Sequence, residues 1–282
     1  MLDRIFDRIV STAASNVPES KGHEGDYIGE DGFVYCGACH TQKQTRVSIL
    51  GQERVVPIMC ECEQRKYDAE LAERKAEEER HRIAAMRRTC FPTEDMAHDT
   101  FAADDQSNAR ISAAMRRYVE KWDEIRLENM GLLLYGPVGT GKTFYAACIA
   151  NALLDRGVPV MMTSFARVVN TMQGMYTGRQ EYLDKLVSYP LLIIDDLGAE
   201  RGSDYMLEQV YSVVDARYQT GRPLIVTTNI PISEIKEPQD LKYRRIYDRI
   251  LERCHPVEIT GPSRRRESVK ANFVARKNLL GL

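Results

Sequence analysis

The sequence predicts an α/β fold over residues 100–282, with a parallel sheet flanked by helices, preceded by a small metal-binding unit and a helical linker. Apolar runs alternate with helical patterns through that region, which is typical of parallel sheets. A glycine-rich loop joins one predicted strand to the next helix, and a later apolar strand ends in two acids. These features also place a ligand at the carboxyl ends of the strands.

The first residues predict a short helix and a flexible connection, together spanning residues 1–24. An apolar stripe with helical spacing is formed by Leu2, Ile5, Phe6, Ile9 and Val10. A helix this short is marginal alone, so we expect it to pack on its own domain or to bind a partner. The small and polar residues of 11–26 predict the connection.

Four cysteines predict a zinc-binding domain over residues 25–66. They are Cys36, Cys39, Cys60 and Cys62. Two predicted strands at 46–50 and 53–59 lie between the two pairs and form a hairpin, the layout of a zinc ribbon or knuckle. Four thiolates can close a tetrahedral structural Zn²⁺ site, and so small a segment gains most from a metal. Because the second pair is unusually tight, His40 could replace one cysteine.

A charged helical linker is predicted for residues 67–99. Glu, Arg, Lys and Ala dominate residues 63–88, which favours a solvated helix that either links two domains or is a plain spacer. Phe91-Pro92 should end it, because the residue before a proline disfavours helical backbone.

The remaining elements alternate along residues 100–282. An amphipathic helix is predicted over 107–128, a strand at 131–135, and a helix over 143–156 that ends at Gly157. Further strands are predicted at 158–163, 191–196, 223–228 and 256–260. Helical segments are predicted at 164–187, 204–219, 232–254 and 266–280.

The loop within GLLLYGPVGTGKT, residues 131–143, matches the pattern of a phosphate-binding loop. Its glycines allow successive backbone N–H groups to point at phosphate oxygens, and the following helix turns its positive end toward them. Lys142 should reach the β- and γ-phosphates, and the Thr143 hydroxyl should ligate Mg²⁺. The predicted nucleotide-binding residues are Gly136, Pro137, Val138, Gly139, Thr140, Gly141, Lys142 and Thr143.

Polar side chains follow two further predicted strands. Asp195 and Asp196 end an apolar run typical of a buried parallel strand. Asp195 is expected to bind Mg²⁺ directly or through water, and Asp196 to orient and deprotonate the attacking water. Asn229 ends the next strand, where it can bond the γ-phosphate or the water, unless it only forms a turn before Ile230-Pro231.

The C-terminal part is locally basic. Its cations are Lys242, Arg244, Arg245, Arg249, Arg253, Arg264, Arg265, Arg266 and Lys270. Arginine suits a developing phosphoryl charge, from the same chain or a neighbouring subunit, although any one of these could face DNA phosphates or form a surface ion pair.

Composition restricts the other classes of function. The net charge of −2 argues against wholesale coating of nucleic acid, and 43% hydrophobic residues are enough for a core. No signal peptide or apolar run of membrane-spanning length is evident, so no membrane association is expected. Seven cysteines beside a nucleotide motif favour a reducing, cytoplasmic location.

With these residues in view, the chain resembles the DnaC/DnaI-type replicative helicase loaders and the related IstB-type transposition ATPases, both of the AAA+ class. GPVGTGKT, LLIIDD, IVTTN, RRIYDRILERC and GPSRR carry the resemblance in that order, over about residues 100–275. The cysteine-rich front is similar to the zinc-binding domain of some bacterial and phage loaders. One departure is Asp196, where the broad class usually has Glu; the shorter acid implies slow, switch-like hydrolysis.

The resemblance implies roles for further residues. Arg249 matches the arginine finger that reaches a neighbour's ATP, and Arg265 matches sensor 2, with an ambiguity of one position within Arg264–Arg266. Asn229 matches sensor 1. The implied function is an ATPase that loads a DnaB-type hexameric helicase onto single-stranded DNA, self-associates through its AAA+ interfaces, and uses ATP, Mg²⁺ and Zn²⁺. The alternatives are a transposase helper of the IstB type and a nucleotide-gated binding module with little hydrolysis.

Overall fold

The computed structural model describes residues 25–49, 51–198 and 204–263, together with Lys277 and Leu280. The chain divides into two compact units, Met1–Glu78 and Glu79–Leu282. The helices predicted at residues 2–10 and 266–280 lie outside the described residues, apart from those last two positions.

The first unit consists of two short antiparallel strand pairs and the start of a long helix. β1 (Tyr27–Ile28) pairs with β2 (Val34–Tyr35), and β3 (Gln44–Ile49) pairs with β4 (Gln52–Pro57). Gly51, at φ +79°, lies in the β3–β4 turn, a conformation that favours glycine. The predicted hairpin between the cysteine pairs is therefore confirmed, with β4 ending at Pro57 rather than residue 59.

The predicted charged helix is also confirmed, and it is longer than expected. α1 runs over Glu61–Cys90 and ends directly before Phe91-Pro92. Most of its residues are exposed, so its polar composition fits its surroundings. Because α1 begins at Glu61, Cys62 lies in its first turn.

A buried ion cluster stabilises the first unit. Lys43 is only 2% exposed, and its Nζ lies 2.9 Å from an Asp26 carboxylate oxygen and 3.2 Å from one of Glu63. The Glu63 carboxylate also accepts the backbone N–H of Cys60 at 3.2 Å. Two carboxylates thus compensate one buried ammonium, which would be costly to bury alone.

The second unit contains a five-stranded parallel sheet in the order β6-β7-β8-β5-β9. The strands are β5 (Gly131–Tyr135), β6 (Val160–Ser164), β7 (Leu191–Leu197), β8 (Leu224–Thr228) and β9 (Cys254–Glu258). The last strand was predicted at residues 256–260, which is wrong by two residues. Pro256 lies inside β9 and is tolerated because an edge strand has one partner only.

Helices cover both faces of the sheet. They are α2 (Ala109–Glu120), α3 (Trp122–Leu127), α4 (Lys142–Asp155), α5 (Phe165–Gln173), α6 (Arg179–Ser188), α7 (Asp204–Thr220), α8 (Ile232–Lys236) and α9 (Leu241–Arg253). The single helix predicted for residues 107–128 is wrong, because the chain leaves helical geometry at Lys121. Met115 and Tyr118 are buried on α2, and Trp122 and Ile125 are buried on α3.

Two apolar clusters lie on opposite faces of the sheet. Leu133 and Ile194 belong to one cluster, whereas Leu132, Leu134 and Ile193 belong to the other. This alternation follows from the two-residue period of a strand, and it explains why strands covered on both faces are apolar throughout. The α/β architecture with a parallel sheet flanked by helices is confirmed.

Arg217 is a buried cation within the second unit and is 1% exposed. Its guanidinium donates to the carbonyls of Val187, Tyr189 and Pro190, at 2.7, 2.7 and 3.1 Å, and to that of Pro223. Burial lowers the pKa of Arg217 to about 9. The side chain therefore satisfies backbone acceptors at the entrances of β7 and β8.

Among the described residues, no helix has the length and apolar character needed to cross a membrane.

Candidate functional site

The predicted phosphate loop lies between the carboxyl end of β5 and the start of α4. Three of its glycines adopt positive φ, at 142° for Gly136, 86° for Gly139 and 101° for Gly141. A Cβ atom on Gly136 would lie 2.3 Å from the Ile259 carbonyl oxygen, so that position has no room for a side chain. Each of the three positions therefore has a backbone conformation that favours glycine.

Lys142 is folded back onto the loop. Its Nζ donates to the carbonyls of Gly136 at 2.9 Å and Pro137 at 2.7 Å, and the residue is 5% exposed. The Thr140 hydroxyl donates to the Pro137 carbonyl at 2.9 Å, while Val138 is exposed. The Lys142 ammonium beside this glycine loop is a suitable partner for an anion, and loops of this kind bind anions through their backbone N–H groups.

The structure brings together the two predicted magnesium ligands. The Thr143 hydroxyl lies 3.0 and 3.1 Å from the two carboxylate oxygens of Asp195, a buried residue of β7. A hydroxyl and a carboxylate are the oxygen ligands that Mg²⁺ takes beside nucleotide phosphates. The pair therefore has the donor set for that ion.

Thr227 on β8 is a site residue that the sequence did not reveal. Its hydroxyl donates to Asp195 Oδ1 and accepts the Asp196 backbone N–H at 3.0 Å. Thr227 and Thr228 are both fully buried. A signal was present, because two threonines end an otherwise apolar strand, but the pattern does not show which of them faces the acids.

The two acids have different surroundings. Asp195 is 9% exposed, whereas Asp196 is exposed and adopts φ +58°. The β7–β8 register shifts between Ile194 and Leu197, so the strand is irregular at the acids. Consecutive side chains of a strand point to opposite sides, and at this irregular position Asp195 lies in the interior and Asp196 at the surface.

Burial raises the pKa of the Asp195 carboxyl above its usual range, and the nearby Asp196 charge acts in the same direction. Hydrogen bonds from Thr227 and Thr143 oppose this rise. A partly desolvated carboxylate gains most from a cation, because a positive charge removes the cost of its ionised form.

The other predicted catalytic residues are placed differently. Asn229 follows β8 directly and is exposed. Arg249 lies on α9, with Nε 2.7 Å from Asp215 Oδ1 and its guanidinium 4.9 Å from the Tyr211 ring centre. Arg265 lies outside the described residues. The roles of these three residues remain predictions.

The four predicted zinc ligands converge in the first unit. Their sulfur atoms all lie within 4.8 Å of one another, and all four cysteines are free thiols. Sγ of Cys62 lies 3.5 Å from that of Cys36 and 3.1 Å from that of Cys60. His40 is not part of this group, and its ring packs 5.8 Å from Tyr27. The alternative in which His40 replaces a cysteine is therefore disfavoured.

The thiols differ in acidity. A hydrogen bond with Thr41 lowers the pKa of the Cys39 thiol to about 5, whereas burial raises the pKa of Cys60. Four sulfurs at this spacing match the donor set of a closed tetrahedral zinc site.

Comparisons with known proteins agree with this geometry. The sequence model of the family described as "IstB-like ATP binding protein" matches residues 63–271. The chain is 26% identical over 207 residues to the replicative helicase loader DnaI of Bacillus subtilis. The aligned region covers 68% of this chain and 66% of that protein. It is 32% identical over 152 residues to the loader DnaC of Escherichia coli, covering 52% and 58% respectively. The match thus spans about two thirds or less of these loaders.

A further relative is a putative ATP-binding protein in an insertion sequence of Mycobacterium tuberculosis. It is 28% identical over 203 residues, covering 68% of this chain and 78% of that protein. Among solved structures, the crystal structure of DnaI superposes with a TM-score of 0.53 at 27% identity, covering 64% of this chain and 98% of that one. The DnaC helicase loader gives 0.50 at 22% identity, covering 60% and 100%, which shows the shared fold.

Proposed function

Since the chain belongs to the IstB-like ATP-binding protein family, we propose that it is an ATPase that loads a DnaB-type hexameric helicase onto single-stranded DNA. The observation that carries the ATPase part is the Thr143–Asp195 pair at the phosphate loop. The loader part is supported by similarity to two replicative helicase loaders. A four-cysteine unit in front of the ATPase unit is a second support.

ATP binding engages the loop 136–143. In this proposal Lys142 Nζ exchanges its two backbone carbonyls for the β- and γ-phosphates, which are better partners for an ammonium. Thr143 and Asp195 would hold Mg²⁺, which would supply positive charge beside the phosphates. Thr227 keeps the Asp195 carboxylate oriented toward that position.

Hydrolysis then depends on the residues at the exposed edge of the site. Asp196 orients and deprotonates the attacking water, and Asn229 bonds the γ-phosphate or that water. Arg249 of one copy stabilises the charge on the triphosphate of a second copy, while Arg265 contacts the nucleotide bound to its own chain. Because Asp196 is one methylene shorter than Glu, we expect slow turnover that serves as a switch.

The first unit is proposed to hold the helicase. Zn²⁺ bound by the four cysteines would fix the hairpin β3–β4 against the first turn of α1, because one cysteine pair precedes the hairpin and the other follows it. Deleting residues 1–66 should abolish helicase binding while the remaining chain still binds ATP. Undiminished helicase binding by the truncated chain would refute this division of labour.

Tyr176 is the side chain that we propose as a contact for single-stranded DNA. It lies between α5 and α6 and is fully exposed, at 102% relative accessibility. Exposed aromatic rings stack on nucleic acid bases, at roughly 1–3 kcal/mol per base. Tyr176→Ala should weaken binding to a single-stranded oligonucleotide roughly tenfold or more, measured by fluorescence anisotropy. Tyr67→Ala, which removes an exposed tyrosine on α1, is the control.

The test of the whole proposal is co-purification with the host's replicative helicase in ATP and in ADP. We expect association that depends on ATP and is lost in Lys142→Ala. Equal association in ATP and in ADP would refute the nucleotide-dependent switch. No association in either nucleotide would refute the loader function.

A second candidate function rests on the Mycobacterium relative, which is named for an insertion sequence. In that alternative the same ATPase unit assists a transposase. A transposase that co-purifies in ATP, with no helicase captured, would favour this function over the first.

A further inference from the structure

Arg249 is built into a surface formed by α7 and α9. Its Nε lies 2.7 Å from Asp215 Oδ1, and the side chains are 28% and 22% exposed respectively. The two residues therefore form a half-buried ion pair between neighbouring helices rather than a pair of freely moving surface charges.

The partner carboxylate is itself oriented. Gln219, one turn further along α7, donates from Nε2 to Asp215 Oδ2 at 2.7 Å. One carboxylate oxygen thus faces Gln219 and the other faces Arg249. This arrangement restricts Asp215 to one direction before any neighbour is present.

Aromatic rings support the guanidinium from the side of α7. Its central carbon lies 4.9 Å from the centre of the Tyr211 ring and 5.7 Å from that of Tyr218. Arg253 packs on the same Tyr218 ring at 4.7 Å, and the Tyr218 hydroxyl donates to Glu252 at 2.7 Å. Arginine stacks well on such faces because its planar cation is weakly hydrated.

The anchored part of Arg249 is the inner part of its guanidinium. Nε is shielded from solvent and is held at 2.7 Å from Asp215 as an ion pair without a hydrogen bond, and Nη1 donates to the Arg245 carbonyl at 3.3 Å. The exposed fraction of the side chain therefore excludes Nε. An arginine held in this way already has a restricted side chain. Contact between its outer N–H groups and a ligand therefore costs little further side-chain conformational entropy.

We propose that Asp215, oriented by Gln219, is the positioning residue that fixes Arg249 for the triphosphate bound to a second copy of this chain. This inference rests on the proposed role of Arg249 in trans and adds the residue that makes that role possible. Without Asp215 the guanidinium keeps its charge and its aromatic support but loses its direction. A misplacement of a charged group by about 1 Å can cost roughly a hundredfold in rate.

The competing interpretation is an ordinary ion pair that only joins two helices. Partly exposed pairs contribute little to stability and have no effect on a neighbouring subunit's chemistry. The two interpretations differ in which subunit of an assembly feels the substitution.

Mixed assemblies provide the test. Lys142→Ala subunits keep Arg249 but lack the phosphate contact, and Arg249→Ala subunits keep the phosphate loop but lack the arginine. Neither should hydrolyse ATP alone, and their mixture should regain turnover where one subunit's arginine faces the other's ATP. Asp215→Asn is then added to each partner in turn.

We expect Asp215→Asn to lower turnover of the mixture roughly tenfold or more when it is in the Lys142→Ala subunit, with KM for ATP unchanged. In the Arg249→Ala subunit it should have no effect, because the group it positions is absent. Asp215→Glu should restore part of the loss. Thermal melts establish that each variant is folded.

Three results would overturn the inference. They are an equal loss in both subunits, unchanged turnover, and increased turnover from release of a restrained arginine. If the mixture without Asp215→Asn fails to regain turnover, then the role of Arg249 in trans fails first and the inference falls with it. That outcome is recognised before Asp215 is changed.

Discussion

Thr227→Val tests the site residue that links the two acids. The substitution keeps the shape of a fully buried side chain but removes the hydroxyl that donates to Asp195 and accepts from the Asp196 N–H. A hydrogen bond to a charged group is worth about 1.5–3 kcal/mol, which corresponds to roughly a tenfold to hundredfold loss. We expect this loss in Mg²⁺-dependent ATP turnover.

The pH dependence has a definite sign. The Thr227 hydroxyl lowers the pKa of Asp195 against the rise caused by burial. Removing the Thr227 hydroxyl raises the pKa of Asp195, so the carboxylate is protonated at a higher pH. The acid limb of the plot of turnover against pH therefore moves to higher pH. Phosphate release is measured against Mg²⁺ concentration from pH 5 to pH 8.

Thr228→Val is the matched control. Thr228 is equally buried, but its hydroxyl donates to the Leu197 carbonyl at 2.7 Å and accepts the Ile230 N–H at 3.1 Å. It should cost stability without changing the Mg²⁺ requirement or the acid limb. Equal effects of the two substitutions on Mg²⁺ dependence would refute the reasoning.

Substitutions at Asp195, Arg217 and Cys60 test other parts of the structure. Burial raises the pKa of Asp195, so ionisation of this carboxyl costs stability once the pH rises through its pKa in the folded chain. Asp195→Asn should therefore abolish turnover yet raise the melting temperature at pH 8. A difference in melting temperature between variant and natural chain that fails to narrow at low pH would contradict this. Arg217→Ala leaves several buried carbonyls without a donor, so it should lower the free energy of unfolding in urea by about 3–5 kcal/mol. The control Arg222→Ala, at an exposed position, should cost about 1 kcal/mol or less. Similar costs for the two variants would contradict the role of Arg217 as the donor to these carbonyls. Cys60→Ser should reduce the zinc content, measured by atomic absorption, from about one ion per chain toward none. The control His40→Ala should retain the zinc. Equal zinc contents in the two variants would exclude the four-sulfur site.

Sequence patterns predicted the elements that carry a strong local signal. The strands β5, β7 and β8 are continuous apolar runs, and the loop before α4 has a spacing that few other structures require. The cysteine spacing likewise anticipated the cluster of four sulfurs. The strands and the loop are each specified within a short stretch of chain, and the two cysteine pairs are joined by a single hairpin.

Features that depend on long-range packing were not predictable. Thr227 meets Asp195 only because β8 lies beside β7 in the sheet, a neighbour relation that no local pattern encodes. The break at Lys121 divides a stretch whose apolar spacing continues across it. Likewise, the contact between Asp215 and Arg249 requires α7 and α9 to pack together.

The most direct measurement is a structure of the chain with Mg²⁺ and a nonhydrolysable ATP analogue under assembling conditions. We expect the triphosphate on loop 136–143, the cation between Thr143 and Asp195, and Arg249 of an adjacent copy at the γ-phosphate. A triphosphate bound elsewhere, or a γ-phosphate approached by no arginine from another copy, would contradict the account.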